Sequence, residues 1–119
     1  METQKNQDNL VLNRSFELAI QIVSIADALN DSRQYDLSRQ ILRCGTSVGA
    51  NIREAQHPES RKDFYHKLKI AMKEAEETAY WLDLLEATKK ISIPEELKEN
   101  LLSVRKLLLR ILSTTKTNM

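Results

Sequence analysis

The chain has 119 residues, of which 41% are hydrophobic and 29% charged, and its formal net charge is +1. This length, with two glycines and two prolines, is typical of one compact all-helical domain. The single cysteine excludes an internal disulfide, residues 1–9 lack the apolar core of a signal peptide, and no apolar run approaches the ~20 residues of a membrane-spanning helix. The sequence therefore predicts a soluble, cytoplasmic protein.

The first predicted helix spans residues 10–29 and is apolar around more than half of its circumference. Polar residues 30–32 then interrupt the pattern, because their side chains compete for backbone hydrogen bonds. Two neighbouring apolar stripes run along this helix: Phe16, Ile20, Val23 and Ala26 form one, and Leu18, Ile22, Ile25 and Leu29 form the other.

The second predicted helix spans residues 35–55 and carries apolar residues at steps of three and four. It also contains Gly45 and Gly49, four residues apart. A glycine inside a helix costs about 1 kcal/mol relative to alanine. The pair therefore predicts that the backbone of another helix approaches closely at this point.

The third predicted helix spans residues 61–89 and begins with Ser60 as its N-cap. The fourth spans residues 93–113 and begins with a capping serine followed by a proline in the first turn. Residues 1–9 and 114–119 are predicted to be polar ends outside the helices. Seven residues form the inner seam of helix three: Phe64, Leu68, Ala71, Ala75, Thr78, Leu82 and Leu85.

The connections after the second and third helices are only a few residues long, which favours antiparallel neighbours. The sequence thus predicts an all-α protein, an antiparallel up-down-up-down four-helix bundle, as a single domain over residues 1–119.

More apolar side chains are present than the inner stripes of one bundle require. Helix one has its second stripe, helix three has Tyr65, Met72, Ala79 and Trp81, and helix four has further leucines. A large exposed apolar patch usually marks a subunit interface, so the sequence predicts a homo-oligomer. The alternative is a wide-faced bundle that buries most of these side chains. The further leucines of helix four are Leu102, Leu107, Leu109 and Leu112.

Basic residues are concentrated in residues 33–73, which hold nine basic and four acidic groups. A cationic face at helical spacing can bind a phosphate backbone by releasing counterions. The alternative is a solvated face whose lysines pair with glutamates, and the pI of 7.8 is below the value of about 9 typical of dedicated nucleic-acid domains. The predicted nucleic-acid-binding residues are Arg39, Arg43, Lys62, His66, Lys69 and Lys73.

Few residues of the sequence suggest metal binding or catalysis. Glu54 with His57, and Asp63 with His66, resemble the Glu-x-x-His spacing of di-iron bundles, but the two pairs lie nine residues apart across a turn. Cys44 falls on the inner stripe of helix two, where cysteine behaves as a small hydrophobe. The sequence therefore predicts no metal, no cofactor and no catalytic residue, and a ferritin-like enzyme is retained only as an alternative that the fold class permits.

Several blocks of the sequence resemble the bacterial four-helix bundle family, also called 23S rRNA-intervening sequence proteins. The likeness covers roughly residues 15–112 and is strongest over residues 35–85. The blocks are Tyr35-x-Leu37-Ser38-x-Gln40-Ile41-x-Arg43, Thr46-Ser47-Val48-Gly49-Ala50-Asn51-Ile52-x-Glu54-Ala55, Asp63-Phe64, Lys67-Leu68-x-Ile70-Ala71, Glu74-Ala75-x-Glu77-Thr78 and Trp81-Leu82.

The resemblance implies an antiparallel four-helix bundle, commonly assembled as a homopentameric ring, without enzymatic activity. A similar architecture occurs in the accessory protein of diversity-generating retroelements, which partners a reverse transcriptase and nucleic acid. We therefore expect an oligomeric scaffold that associates with RNA or a nucleic-acid-handling protein; the alternative is a purely protein-binding structural oligomer. The signature positions implied by the resemblance are Ser47, Asn51, Glu54, Glu74 and Glu77.

Overall fold

The structure, a computed structural model, describes residues 2–119 and the side chains of residues 5–119. Over this range the chain forms four α-helices and no strand, which confirms the all-α prediction. None of the helices over these residues has an apolar stretch long enough to cross a membrane. The helices are α1 (Glu2–Asp31), α2 (Tyr35–Glu54), α3 (Arg61–Ala87) and α4 (Glu95–Thr117).

The two ends predicted to lie outside the helices are for the most part helical. α1 begins at Glu2, because residues 2–9 contain neither glycine nor proline and include several good helix formers. Residue 1 of the predicted polar end lies outside the described residues. α4 continues to Thr117, where Thr115 is buried and its hydroxyl donates a hydrogen bond to the carbonyl of Ile111 at 2.7 Å. The predicted start of this helix is wrong: α4 begins at Glu95 with Pro94 as its N-cap, and no serine side chain caps it.

Each helix packs against two of the others. α1 contacts α2 and α4, and α3 contacts the same two helices, whereas within residues 2–119 neither α1 and α3 nor α2 and α4 pack together. The side of the bundle formed by α1 and α2 therefore lies opposite the side formed by α3 and α4. The largest side chains buried between the helices are Leu18, Ile22, Leu29, Ile41, Ile52, Leu68, Leu85, Leu97, Leu108 and Ile111.

The two glycines of α2 lie where this helix approaches α1. A Cβ atom on Gly45 would lie 2.7 Å from both γ carbons of Ile22, and one on Gly49 would lie 3.2 Å from the backbone oxygen of Ser15. Such contacts leave no room for a side chain at Gly45 unless Ile22 shifts. The close approach of α1 explains why α2 keeps glycine at these positions.

Two residues beyond the last residue of α1 and of α3, the chain has left-handed backbone geometry at a residue that is not glycine. Arg33 has a φ of 62° and Lys89 a φ of 57°. After α1, the backbone N–H of Gln34 donates to the carbonyl of Leu29 at 2.8 Å. After α3, the backbone N–H of Lys90 donates to the carbonyl of Leu85 at 3.0 Å. Helices commonly end in this geometry, usually with glycine, because a side chain is disfavoured there.

Substituting Gly45 with alanine should lower the free energy of unfolding by about 1 kcal/mol. Overpacking against Ile22 costs about 1–3 kcal/mol, and the better helix propensity of alanine offsets about 1 kcal/mol of that. Urea denaturation measures the change. In an Ile22→Ala background both γ carbons are absent and only the Cβ at position 22, 3.1 Å away, remains close, so the same substitution should cost less. An equal loss in both backgrounds would contradict the packing explanation.

Substituting Lys89 with glycine should raise the free energy of unfolding by about 0.5–1 kcal/mol, because glycine adopts a positive φ without the steric penalty of a side chain. Thermal denaturation provides the measurement. The control is Lys90→Gly, at a position without positive φ, where no gain is expected. Equal effects of the two substitutions would show that the C-terminal geometry of α3 does not carry this strain.

Candidate functional site and interaction surfaces

The six predicted nucleic-acid-binding residues divide into two groups. Arg39 and Arg43 lie on α2, and both are engaged in ion pairs. Arg39 pairs with Asp36 on its own helix. Arg43 reaches across to α3, where it contacts Glu77 and lies 3.4 Å from a carboxylate oxygen of Glu74. These carboxylates compensate the charge of the two arginines.

The other four residues lie on α3 and are exposed. Among the described side chains, none of the four forms an ion pair. Their steps of four, three and four residues place them along one face over about 16 Å of helix. We call this set the α3 basic stripe: Lys62, His66, Lys69 and Lys73.

Most of the signature positions lie near Arg43. The hydroxyl of Ser47 donates to the carbonyl of Arg43 at 2.7 Å, and the amide of Asn51 donates to the carbonyl of Ser47 at 2.8 Å. Glu77 accepts from Arg43 and also from the indole nitrogen of Trp81 at 3.1 Å. Glu74 and Glu77 therefore link α3 to α2 through Arg43.

Glu54, the remaining signature position, is exposed near the end of α2. Its carboxylate makes no hydrogen bond or ion pair to the side chains that the structure describes. The structure therefore does not bring Glu54 together with Glu74 and Glu77.

The two apolar stripes of α1 have different environments. Leu18, Ile22 and Leu29 of the second stripe are buried in the core, whereas Phe16 and Ile20 of the first are 55% and 57% exposed. The expectation that the second stripe is surplus to the core is therefore wrong: the second stripe is the inner one, and of the first stripe only Ala26 is buried. On α4, two of the four surplus leucines are also buried, Leu107 and Leu112.

Exposed apolar side chains cover the α1–α2 side of the bundle. Between the two helices lies a groove of about 300 Å³, lined by residues that include Ala19, Thr46 and Gly49. Arg53 and Phe16 also line this groove, and the guanidinium carbon of Arg53 lies 5.5 Å from the centroid of the Phe16 ring, a distance typical of a cation–π contact. We call this surface the α1–α2 apolar face, and its exposed residues are Phe16, Ile20, Val23, Tyr35 and Leu42.

Sequence reasoning did not identify Tyr35 and Leu42, the α2 members of this face. They are seven residues apart and share one side of α2, so the heptad spacing was the available signal.

A second apolar surface lies on the α3–α4 side. Tyr80, Leu102 and Leu109 are 60%, 48% and 56% exposed, and we call them the α3–α4 apolar face. A groove of about 190 Å³ lies beside Leu102 and is also lined by Asp83. Two ion pairs join the helices along this side, between Arg105 and Glu76 at 2.8 Å and between Lys98 and Glu86 at 2.6 Å.

The candidate metal ligands of the sequence do not form a cluster in the described part of the chain, and one of them, Asp63, has a structural role. Within the described part of the chain, no three His, Cys, Asp or Glu residues are grouped as metal ligands would be. Asp63 lies in the first turn of α3, which Ser60 caps: the carboxylate of Asp63 accepts from the N–H of Glu59, and its own N–H donates to the hydroxyl of Ser60, both at 3.0 Å. The N–H of Glu59, followed by the ammonium of Lys67, lowers the pKa of Asp63.

Cys44 is fully buried, and its thiol donates to the carbonyl of Ile41 at 3.6 Å. Burial raises the pKa of this thiol, although a hydrogen bond with Thr78 acts in the opposite direction. A nucleophilic cysteine needs a lowered pKa and access to solvent. The position of Cys44 therefore favours a packing role.

Cys44 should be unreactive toward a thiol reagent such as Ellman's reagent in the folded protein, because the reacting species is an accessible thiolate. The expected result is one equivalent of thiol per chain in denaturant and only slow reaction in native buffer at pH 8. Rapid release of a full equivalent from the folded protein would contradict the burial of Cys44.

The comparisons with known proteins agree with the resemblance seen in the sequence. Residues 7–111 match the family model described as 23S rRNA-intervening sequence protein. No curated protein matches the chain. Among solved structures, the chain is similar to a protein with unknown function from the S23 ribosomal protein family of Bacteroides thetaiotaomicron VPI-5482: the two are 45% identical with a TM-score of 0.85, over 90% of this chain and 98% of that one. The chain belongs to the 23S rRNA-intervening sequence protein family.

Proposed function

We propose that this protein is a non-enzymatic helical-bundle scaffold that assembles with copies of itself. The observation that carries the proposal is the exposure of large apolar side chains on both the α1–α2 and the α3–α4 sides. Contiguous exposed apolar surface usually marks a contact site. We take the pentameric ring implied by the resemblance as the proposed assembly, and the lone cysteine favours a cytoplasmic location.

We further propose that the helices are arranged up-down-up-down. The order of contacts supports this: Ser38 of α2 bonds to Ala26 of α1, whereas Gly49, later in α2, lies against Ser15, earlier in α1. Contacts in this order are those of antiparallel helices. The ion pairs between α3 and α4 follow the same order, Glu76 with Arg105 and Glu86 with Lys98.

A second candidate function is contact with RNA through the α3 basic stripe. Four exposed basic side chains without ion pairs among the described residues support it. Lys116 of α4 is also exposed and, in the proposed arrangement, lies near the N-terminal end of α3. The name of the matching family refers to 23S rRNA. The alternative is a structural oligomer that binds only protein.

Light scattering coupled to gel filtration tests the assembly. The expected mass is a multiple of the 13.7 kDa chain, and five copies for the proposed ring. A species of 13.7 kDa at micromolar concentration would contradict the proposed scaffold, because both apolar faces would then be exposed to water.

Filter binding to a labelled 23S rRNA fragment tests the contact with RNA. Retention should fall as salt rises, and the variant Lys69→Glu/Lys73→Glu should bind at least about tenfold more weakly, because cationic contacts release counterions. The matched control is Lys89→Glu/Lys90→Glu, which makes the same change of charge at two exposed lysines just after the C-terminal end of α3. If both variants bind like the unaltered protein, or no RNA is retained at low salt, the α3 basic stripe is not an RNA site.

A further inference from the structure

We infer that the two apolar faces contact each other between copies of this chain: the α1–α2 apolar face of one copy packs against the α3–α4 apolar face of the next. This inference rests on the homo-oligomer proposed above. It goes beyond that proposal, because it specifies which surfaces of the chain meet.

The first step is the position of the two faces. Because α1 packs only with α2 and α4 within the described residues, and α3 with the same two helices, the two faces lie on opposite sides of the bundle. A two-fold contact would use one face twice and leave the other exposed to water. A head-to-tail contact covers both faces with a single kind of interface, and a head-to-tail contact is also the kind that closes into a ring.

The second step is the difference in shape. The α1–α2 face contains a groove of about 300 Å³, whose floor includes Gly49 and Ala19. The groove on the α3–α4 side is smaller, about 190 Å³, and the exposed side chains of that face are Tyr80, Leu102 and Leu109, each about half exposed or more. Interfaces are typically anchored by aromatic and large apolar side chains that enter pockets on the partner. The exposed side chains of the α3–α4 face are therefore the anchors that we expect to enter the larger α1–α2 groove.

The third step is charge complementarity. Among the described residues that line the α1–α2 groove, Arg53 is the only charged one, and it forms no ion pair within the chain. In the α3–α4 groove, Lys98 and Arg105 are paired with glutamates, whereas Asp83 forms no ion pair among the described side chains, although its charge acts on nearby Lys98. The grooves therefore present unpaired charges of opposite sign, which favours contact between unlike faces.

Two substitutions that each disable one face provide the test. Ile20→Glu places a carboxylate on the α1–α2 face, and Leu102→Glu places one on the α3–α4 face. Both side chains are about half exposed, so the folded chain should tolerate the change, and circular dichroism checks this. Gln40→Glu is the matched control, because it adds the same charge outside both apolar faces. Gln40 is exposed on α2, one turn before Arg43, on the side of this helix that contacts α3.

In the head-to-tail arrangement each variant alone should be monomeric by sedimentation velocity, and Gln40→Glu should assemble like the unaltered protein. An equimolar mixture of the two variants should form a dimer of twice 13.7 kDa, because the intact α1–α2 face of Leu102→Glu meets the intact α3–α4 face of Ile20→Glu. The dimer cannot grow further, since its outer faces are both disabled.

Two results would overturn the inference and leave self-assembly itself standing; the first would also contradict a five-membered ring, which a two-fold contact cannot build. If the unaltered protein is oligomeric but Leu102→Glu still self-associates, the α1–α2 face pairs with itself. If both variants are monomeric and their mixture stays monomeric, unlike faces do not pair. A monomeric unaltered protein would instead overturn the proposed scaffold, and this inference with it. The pair Val23→Glu and Leu109→Glu repeats the experiment at separate exposed positions on the same faces.

Discussion

The number of neighbours available to each helix is the constraint on which this structure depends. Within residues 2–119 every helix packs against two others, so it buries one stripe of side chains and leaves the rest at the surface. α1 carries two apolar stripes and buries one of them, together with Ala26 of the other. The exposed stripe of α1, with the protruding residues of α3 and α4, follows from a sequence that holds more apolar surface than one bundle can enclose.

α2 determines how its neighbours are placed because its two sides use different interactions. Toward α1, Gly45 allows a close approach with Ile22 in contact. Toward α3, Arg43 pairs with Glu74 and Glu77. The second contact also affects the surface charge: Arg43 is compensated by acidic residues, whereas the four residues of the α3 basic stripe form no ion pair among the described side chains.

Much of the fold was predictable from sequence because helical periodicity is local. The inner seam of α3, the cap at Ser60 and the ends of α2 follow from residues close in the chain. The direction in which α1 presents its two stripes was not predictable, because periodicity fixes the angle between stripes but not which one meets a neighbour. Nor was the start of α1 at Glu2, since polar helix formers continue a helix without any core contact.

The candidate surfaces were predictable only in part for the same reason. The cationic spacing on α3 is a local pattern, and the structure places all four residues on its exposed face. The ion pairs of Arg43 join residues more than thirty positions apart, so only the fold reveals them. Likewise, the α1–α2 apolar face combines residues from two helices, and its α2 members Tyr35 and Leu42 acquire significance only beside α1.

The central claim is that self-assembly covers both apolar faces. Hydroxyl-radical labelling of side chains, read by mass spectrometry over a dilution series, measures this most directly. The account predicts that Phe16 on one face and Tyr80 on the other become protected together, over the same concentration range. Labelling of both residues that stays the same at every concentration would contradict it, because both faces would then remain exposed to water.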